Sequence, residues 1–464
     1  MNRFRHIILI LLVVPCLSLT AQTVKEQWKQ HYRQELQDYK DSTHDAFLQY
    51  LQRYWRDYEL QRGECYPLKP IPAIHEVVDT LPDSTDIQLP ADATQILHES
   101  RIDDTVSVSA SAHHDAMFYS FDFYGNRLSA MMPSTLNQLS IGGTTEKAVA
   151  AFWRQLDACG TASNCVLMGE LRTDIGLDDY GFYLLVRQLS AVVFPDNERQ
   201  TVFVVYMLNQ LHYDVRIGRM DGTLIPLIAT TSRLYDVPYA TMNGRRYYAI
   251  GQPNRRTRLF TYDISFPQAT TAIDMHLHRS PHIGILRDTQ RPFVQHYEGK
   301  EIAVMVNRQM MDYYAARPQT ELDVYASAAV EDYISKALVR SLLPLIDGKG
   351  DIQAVATLLR YVQESFAYGS DTSQFGRERT LFADELFYYP ASDCEDRVVL
   401  FAYLIRLLVG TDIVLAEFDD HVVAAVALGE TVRGCHYRIN GKKYIVADPT
   451  TYGARLGYLS PRYQ

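Results

Sequence analysis

A chain of 464 residues is too long for one ordinary domain, so two to four are expected. Its hydrophobic content of 47% is ample for packed cores. A net charge of −10 and the lack of any basic block exclude a surface built for nucleic acid.

Residues 1–21 read as an export signal. Arg3 and Arg5 precede an apolar run from Ile7 to Leu19, and Thr20-Ala21-Gln22 offers a small-residue cleavage point. The run is too short to span a bilayer comfortably, and no later stretch is long and apolar enough. The protein is therefore expected to be exported, periplasmic or at the cell surface or beyond, with no membrane span. Cysteines 65, 159, 165, 394 and 435 follow the signal. Cys159 and Cys165 flank Gly160 to Asn164, read as a flexible loop, and are the expected disulfide. The odd number leaves at least one thiol free, Cys394 being the candidate. The lack of a C-x-x-C argues against a redox pair.

Residues 22–100 read as a helical segment and a connector. Trp28, Tyr32, Leu36 and Tyr39, then Phe47, Leu51, Trp55 and Tyr58, recur at helical spacing between Val24 and Tyr58. Pro67, Pro70, Pro72, Pro82 and Pro90 mark extended chain. Thr105 to Met131 alternates as two or three strands with a turn at Gly125-Asn126. Thr145 to Leu156 is amphipathic, with Thr144 or Thr145 as cap, and Leu184–Val193 and Thr201–Leu211 read as apolar helices.

Residues 253–325 read as a β-rich module, in which Asp274, His276 and His278 lie on one strand face with His282 nearby. Such a set could bind a divalent metal, but it is read as a hydrated strand face, so neither metal nor cofactor is expected. Ala326–Leu343 and Asp351–Phe366 read as helices. The polar loop that follows, with Arg377, Glu378 and Arg379 as surface charges, is placed to line a cleft.

The chemistry gathers after Pro390. Ser392 and Asp393 are good helix N-caps, and Val398 to Leu408 is apolar on most faces, so Cys394 sits at the N-terminus of a buried helix. Free N–H groups and the helix dipole there favour a thiolate. His421 opens the strand-like Val422-Val423-Ala424-Ala425-Val426, and Tyr444 to Ala447 is a second strand ending at Asp448. The intervals from Cys394 to His421 and from His421 to Asp448 are both 27 residues. A strand pair packed on the helix would join the three: imidazole deprotonating the thiol, carboxylate orienting the imidazole.

A Cys helix followed by a His strand and an Asp strand resembles the transglutaminase-like superfamily within the papain-like cysteine enzymes. The resemblance rests on Asp393-Cys394-Glu395-Asp396, His421 and Asp448-Pro449-Thr450, and covers roughly the last 115 to 140 residues. It implies Cys394 as nucleophile, His421 as base and Asp448 as orienter. The Cys394 backbone N–H and the Gln374 side chain are candidate oxyanion donors. Glu385, Asp396 and Arg397 are candidates for ion pairs that fix the Cys turn.

At a displacement of 197 residues, the interval from Asn197 to Cys394, the chain resembles itself. Leu184, Leu189, Asp196, Glu198 and Tyr206 fall on Leu381, Leu386, Asp393, Glu395 and Tyr403. Asn243-Gly244-Arg245-Arg246-Tyr247 falls on Asn440-Gly441-Lys442-Lys443-Tyr444. Asn197, Leu224 and Gly251 take the places of Cys394, His421 and Asp448. Weaker echoes precede both stretches, including Tyr124 to Leu128 against His296 to Ile302 at a different displacement.

The expected fold is α+β and multidomain. A degenerate transglutaminase-like domain with β-strands occupies 101–252. The catalytic domain occupies 326–464, with its Cys helix packed on an antiparallel sheet. The expected function is an exported cysteine enzyme acting on peptide or amide bonds through a thioester, with hydrolysis favoured over acyl transfer and a protein or peptide as substrate. The alternative is a peptide- or protein-binding scaffold on the same fold. Oligomeric state stays open.

Overall fold

A computed structural model describes residue 34 and residues 42–65, 72–78, 106–107 and 116–464. The expected export signal and most of the helical front lie outside the described residues. The chain mixes helix and sheet, as an α+β fold requires. No helix among the described residues is long and apolar enough to cross a membrane.

Residues 42–51 form helix α1, which buries Phe47 and Leu51. The helix expected to run to Tyr58 stops there. Arg56–Leu60 is instead strand β1, paired with a strand two hundred residues later. Trp55 keeps its buried place because the turn directs it into the same core. Ala73–Glu76, in the expected connector, is strand β2.

Val106–Ser107 is strand β3, and Ala116–Phe123 and Asn126–Pro133 form the hairpin β4–β5. Helix α2 (Glu146–Ala158) starts at Thr145, whose side chain accepts the Ala148 N–H. Helix α3 (Thr161–Ile175) occupies the stretch expected to be a flexible disulfide loop. Gly160, left-handed at φ 79°, opens it, and its second turn buries Cys165 against Met207. Cys159 bonds Thr161 instead, at 3.0 Å, and both cysteines are free. Cys65, Cys394 and Cys435 are free as well.

Helices α4 (Asp179–Val193) and α5 (Asn197–Gln210) follow, each capped by an Asp side chain, Asp178 or Asp196. Then come β6 (Val215–Met220), β7 (Thr223–Ala229), β8 (Tyr239–Met242), β9 (Arg245–Tyr248) and β10 (Thr257–Thr261). They form a sheet of order β8-β9-β7-β6-β10-β1. The expected β-rich module is therefore divided. β10 belongs to this sheet, and Asp274 to His278 lies outside any strand, beginning after an isolated bridge of Ile273 to Thr230.

The hairpin β11 (Gln290–Tyr297) and β12 (Lys300–Asn307) opens the second half. Helices α6 (Arg308–Ala315), α7 (Leu322–Ala326), α8 (Asp332–Ile346), α9 (Asp351–Ser365) and α10 (Asp371–Phe375) lead to α11 (Cys394–Leu408). The last strands are β13 (Ile413–Glu417), β14 (Val422–Val426), β15 (His436–Ile439) and β16 (Lys442–Ala447). Their sheet has the order β15-β16-β14-β13-β2.

The two halves repeat one element order. Displaced by 197 residues, α5 falls on α11, β6 on β13, β7 on β14, β8 on β15 and β9 on β16. The four shared strands have the same neighbours in both sheets, and an antiparallel strand, β10 or β2, adds on the same side, with β1 beyond β10 in the first sheet. Each half also begins with a hairpin. Their turns, Tyr124-Gly125 and Glu298-Gly299, both have two positive φ angles, the turn whose twist matches paired strands.

Both α5 and α11 are buried along nearly their whole length. A helix covered on all faces must be apolar all round, which is why neither shows a polar stripe.

Candidate active site

Four segments converge on the start of α11. Ser392 N–H donates to Ala367 O, and Gly369 N–H donates back to Ser392 O. A β-carbon on Gly369 would come within 2.8 Å of that of Ala391, so this pairing needs glycine or a shift of the turn. Arg397, buried one turn into the helix, donates to Ser392 Oγ and to Phe366 O. Asp396 accepts the Asp393 N–H at 3.2 Å and the Leu381 N–H at 2.8 Å, closing a capping box with Asp393.

Asp396 and Arg397, expected in ion pairs with Glu385, thus make hydrogen bonds to backbone and hydroxyl. Glu385 pairs with Arg379 at 2.5 Å, and Arg379 is buried rather than a surface charge. Gln374, the candidate oxyanion donor, spends its amide on Ala391 O at 3.3 Å.

Cys394 is the first residue of α11, as expected. Its thiol donates to Glu395 Oε2 at 3.0 Å, and the Val422 N–H faces the sulfur. The thiolate favoured by the helix N-terminus is not the resting state. Burial pushes the thiol well above its ordinary pKa, and the Glu395 charge and hydrogen bond push it further.

Glu395 belongs to a buried carboxylate group. Oxygens of Asp371, Asp393 and Asp396 lie within 4.8 Å of one another, as do those of Asp371, Glu378 and Glu395. Burial and mutual repulsion raise Asp371 to about 7 and Asp393 to about 8, which brings their titration into the neutral range.

His421 and Asp448 meet across the sheet. His421 Nε2 lies 2.9 Å from Asp448 Oδ2, with the carboxylate only 1% exposed. Asp448 also accepts the Thr450 and Thr451 N–H groups and the Thr451 hydroxyl. Burial pushes its carboxyl up, but the His421 and Thr451 bonds outweigh that and leave it below its ordinary value.

Nε2 is committed to Asp448, so Nδ1 is the nitrogen left to serve a thiol. The thiol and the imidazole thus bond different carboxylates, Glu395 and Asp448.

Sequence reasoning missed Tyr463, whose ring stacks on His421 with centroids 5.2 Å apart and planes 19° from parallel. Its hydroxyl donates to Asp420 at 2.9 Å, which pins the C-terminal turn over the imidazole. Tyr368, 65% exposed, has its ring centroid 5.7 Å from the Arg397 guanidinium.

A cavity of about 200 Å³ adjoins the turn that leads to Cys394, lined by Phe293, Phe366, Phe387 and Tyr388 together with Pro390 and Ala391. In the first half the corresponding place is closed by polar chemistry of another kind. Asn197, at the position of Cys394, donates to the carbonyl of Leu224, at the position of His421, over 2.9 Å.

No protein-family model, curated protein or solved structure matches this chain.

Proposed function

We propose that the protein is an exported thiol enzyme of transglutaminase-like fold that hydrolyses peptide or amide bonds. The observation that carries this reading is the His421–Asp448 pair, set beside a helix whose first residue is Cys394. In the proposed cycle, His421 Nδ1 takes the thiol proton and the sulfur attacks the substrate carbonyl carbon. The free N–H groups at the start of α11, that of Cys394 among them, receive the developing oxyanion. The imidazolium then gives its proton to the leaving amine, and a thioester remains. Water, deprotonated by the same nitrogen, releases the acid and restores the thiol.

Glu395 sets the resting state in this scheme. Its carboxylate holds the thiol proton until substrate displaces it, so the nucleophile is latent rather than permanently ionised. The aromatic cavity beside Ala391 suits an apolar substrate side chain next to the scissile bond.

We further propose that the two halves descend from one duplicated unit, with the first, from which all three chemical groups are missing, serving as scaffold. A second reading, a peptide-binding scaffold without turnover, is favoured by the upward shift of the Cys394 thiol pKa by burial.

Turnover separates the two readings. The mature protein would be incubated with a fluorogenic peptide and amide library, beside Cys394→Ala. Cleavage that disappears in the variant, with an acyl adduct on Cys394 in trapped samples, supports the enzyme. Peptide capture without cleavage, equal in both proteins, supports the scaffold.

A further inference from the structure

Away from the Cys394 turn, donors of another kind meet where the halves join. Asp274, His276 and His278 follow one another at every second residue, and the chain there brings their side chains together. His276 Nδ1 is 2.8 Å from Asp274 Oδ1, and His278 Nε2 is 2.9 Å from Asp274 Oδ2. One donor atom from each lies within 4.8 Å of the other two. The imidazoles are stacked, with planes 19° from parallel.

The far nitrogen of His276 also has a carboxylate. Asp323, on α7 of the second half, places Oδ2 3.5 Å from His276 Nε2. Asp274 is itself fixed, accepting from the Thr231 hydroxyl at 3.3 Å and the His276 N–H at 3.1 Å. Its backbone N–H is held by Asp179 at 3.0 Å. Two imidazoles and a carboxylate converging, with a second carboxylate behind one ring, is the pattern by which proteins orient histidine on a metal.

We propose that Asp274, His276 and His278 bind one divalent transition-metal ion of the zinc class, with Asp323 orienting His276 from its far nitrogen. The mixed nitrogen and oxygen donors favour such an ion over calcium or magnesium, which take all-oxygen sets. His278 is 59% exposed, which leaves the outer side of the ion to water. Thr231 and Asp179 belong to the first half and Asp323 to the second, so the ion acts as a staple between them.

The test is a zinc titration of chelator-stripped mature protein against a coloured competitor. The expected result is a single bound equivalent, weakened about 10–100-fold by Asp323→Asn and more by His278→Ala. Excess calcium or magnesium should not compete. The exposure of His278 lets its variant fold, which circular dichroism checks. Cobalt bound to the unaltered protein should give a visible ligand-field band that His278→Ala removes or shifts. No stoichiometric binding, or binding unchanged in His278→Ala, overturns the proposal. Binding lost instead in Asp371→Asn would move the ion to the acidic turn and overturn it equally.

Discussion

Cys394 and Glu395, adjacent at the start of one helix, share a hydrogen bond in which the thiol donates to the carboxylate over 3.0 Å. The bond and the charge both oppose ionisation of the sulfur. Glu395→Gln removes the charge while keeping an acceptor. The thiol pKa, read from thiolate absorbance with Cys394→Ala subtracted, should fall by about one unit or more. An unchanged or higher value would show that Glu395 does not hold the proton.

Asp448 holds His421 Nε2, so the proposed cycle depends on Nδ1 being the nitrogen left for the thiol. Asp448→Asn should upset that arrangement, and turnover should drop by about 100-fold or more. Thr451→Val removes only one of the bonds to the carboxylate and should cost far less. Equal losses in the two variants would mean that general disruption, not imidazole orientation, is being measured.

Buried carboxyls set the pH dependence of stability. Asp371 and Asp384 are raised to about 7, and Asp393 and Glu331 to about 8, in each case chiefly by burial. In the unfolded chain such groups titrate near about 4. Between these values the folded state binds more protons, so stability must fall as pH rises through the window. Tm should decline from about pH 5 to about pH 9, and Asp371→Asn should flatten part of that decline. A Tm that rises with pH would show these carboxylates ionised in the fold.

Asn197 stands where the second half has Cys394, and its amide bonds Leu224 O. Asn197→Ala should destabilise the protein by about 1 kcal/mol in denaturant melts. Turnover of the folded variant should be unaffected. Loss of activity without loss of stability would give the first half a catalytic part.

The three candidate residues stand out in the sequence because each sits where a local signal changes. Cys394 follows two capping residues, His421 opens an apolar run, and Asp448 ends one before proline. The repeat was legible because the loops from α5 to β9 and from α11 to β16 have equal lengths, which keeps the displacement at 197 residues.

What the sequence hid depends on distant contacts. β2 is short and surrounded by prolines, and becomes a strand only by pairing with β13. Tyr463 is one aromatic in a tail, and nothing local directs it to His421. The acids near Cys394 are visible in the sequence, but their burial is not. That burial turned an expected thiolate into a protonated thiol. Helix α3 was missed because it follows glycine and opens with Thr161, Ser163 and Asn164, a loop-like composition.

The most direct measurement is the alkylation rate of Cys394 by iodoacetamide across pH, located by mass spectrometry, in the unaltered protein and in His421→Ala. A thiol served by His421 should label at neutral pH and slow by about tenfold or more in the variant. Labelling that appears only well above neutral pH, at the same rate in both proteins, would show that His421 does not act on Cys394. The thiol enzyme reading would then be wrong.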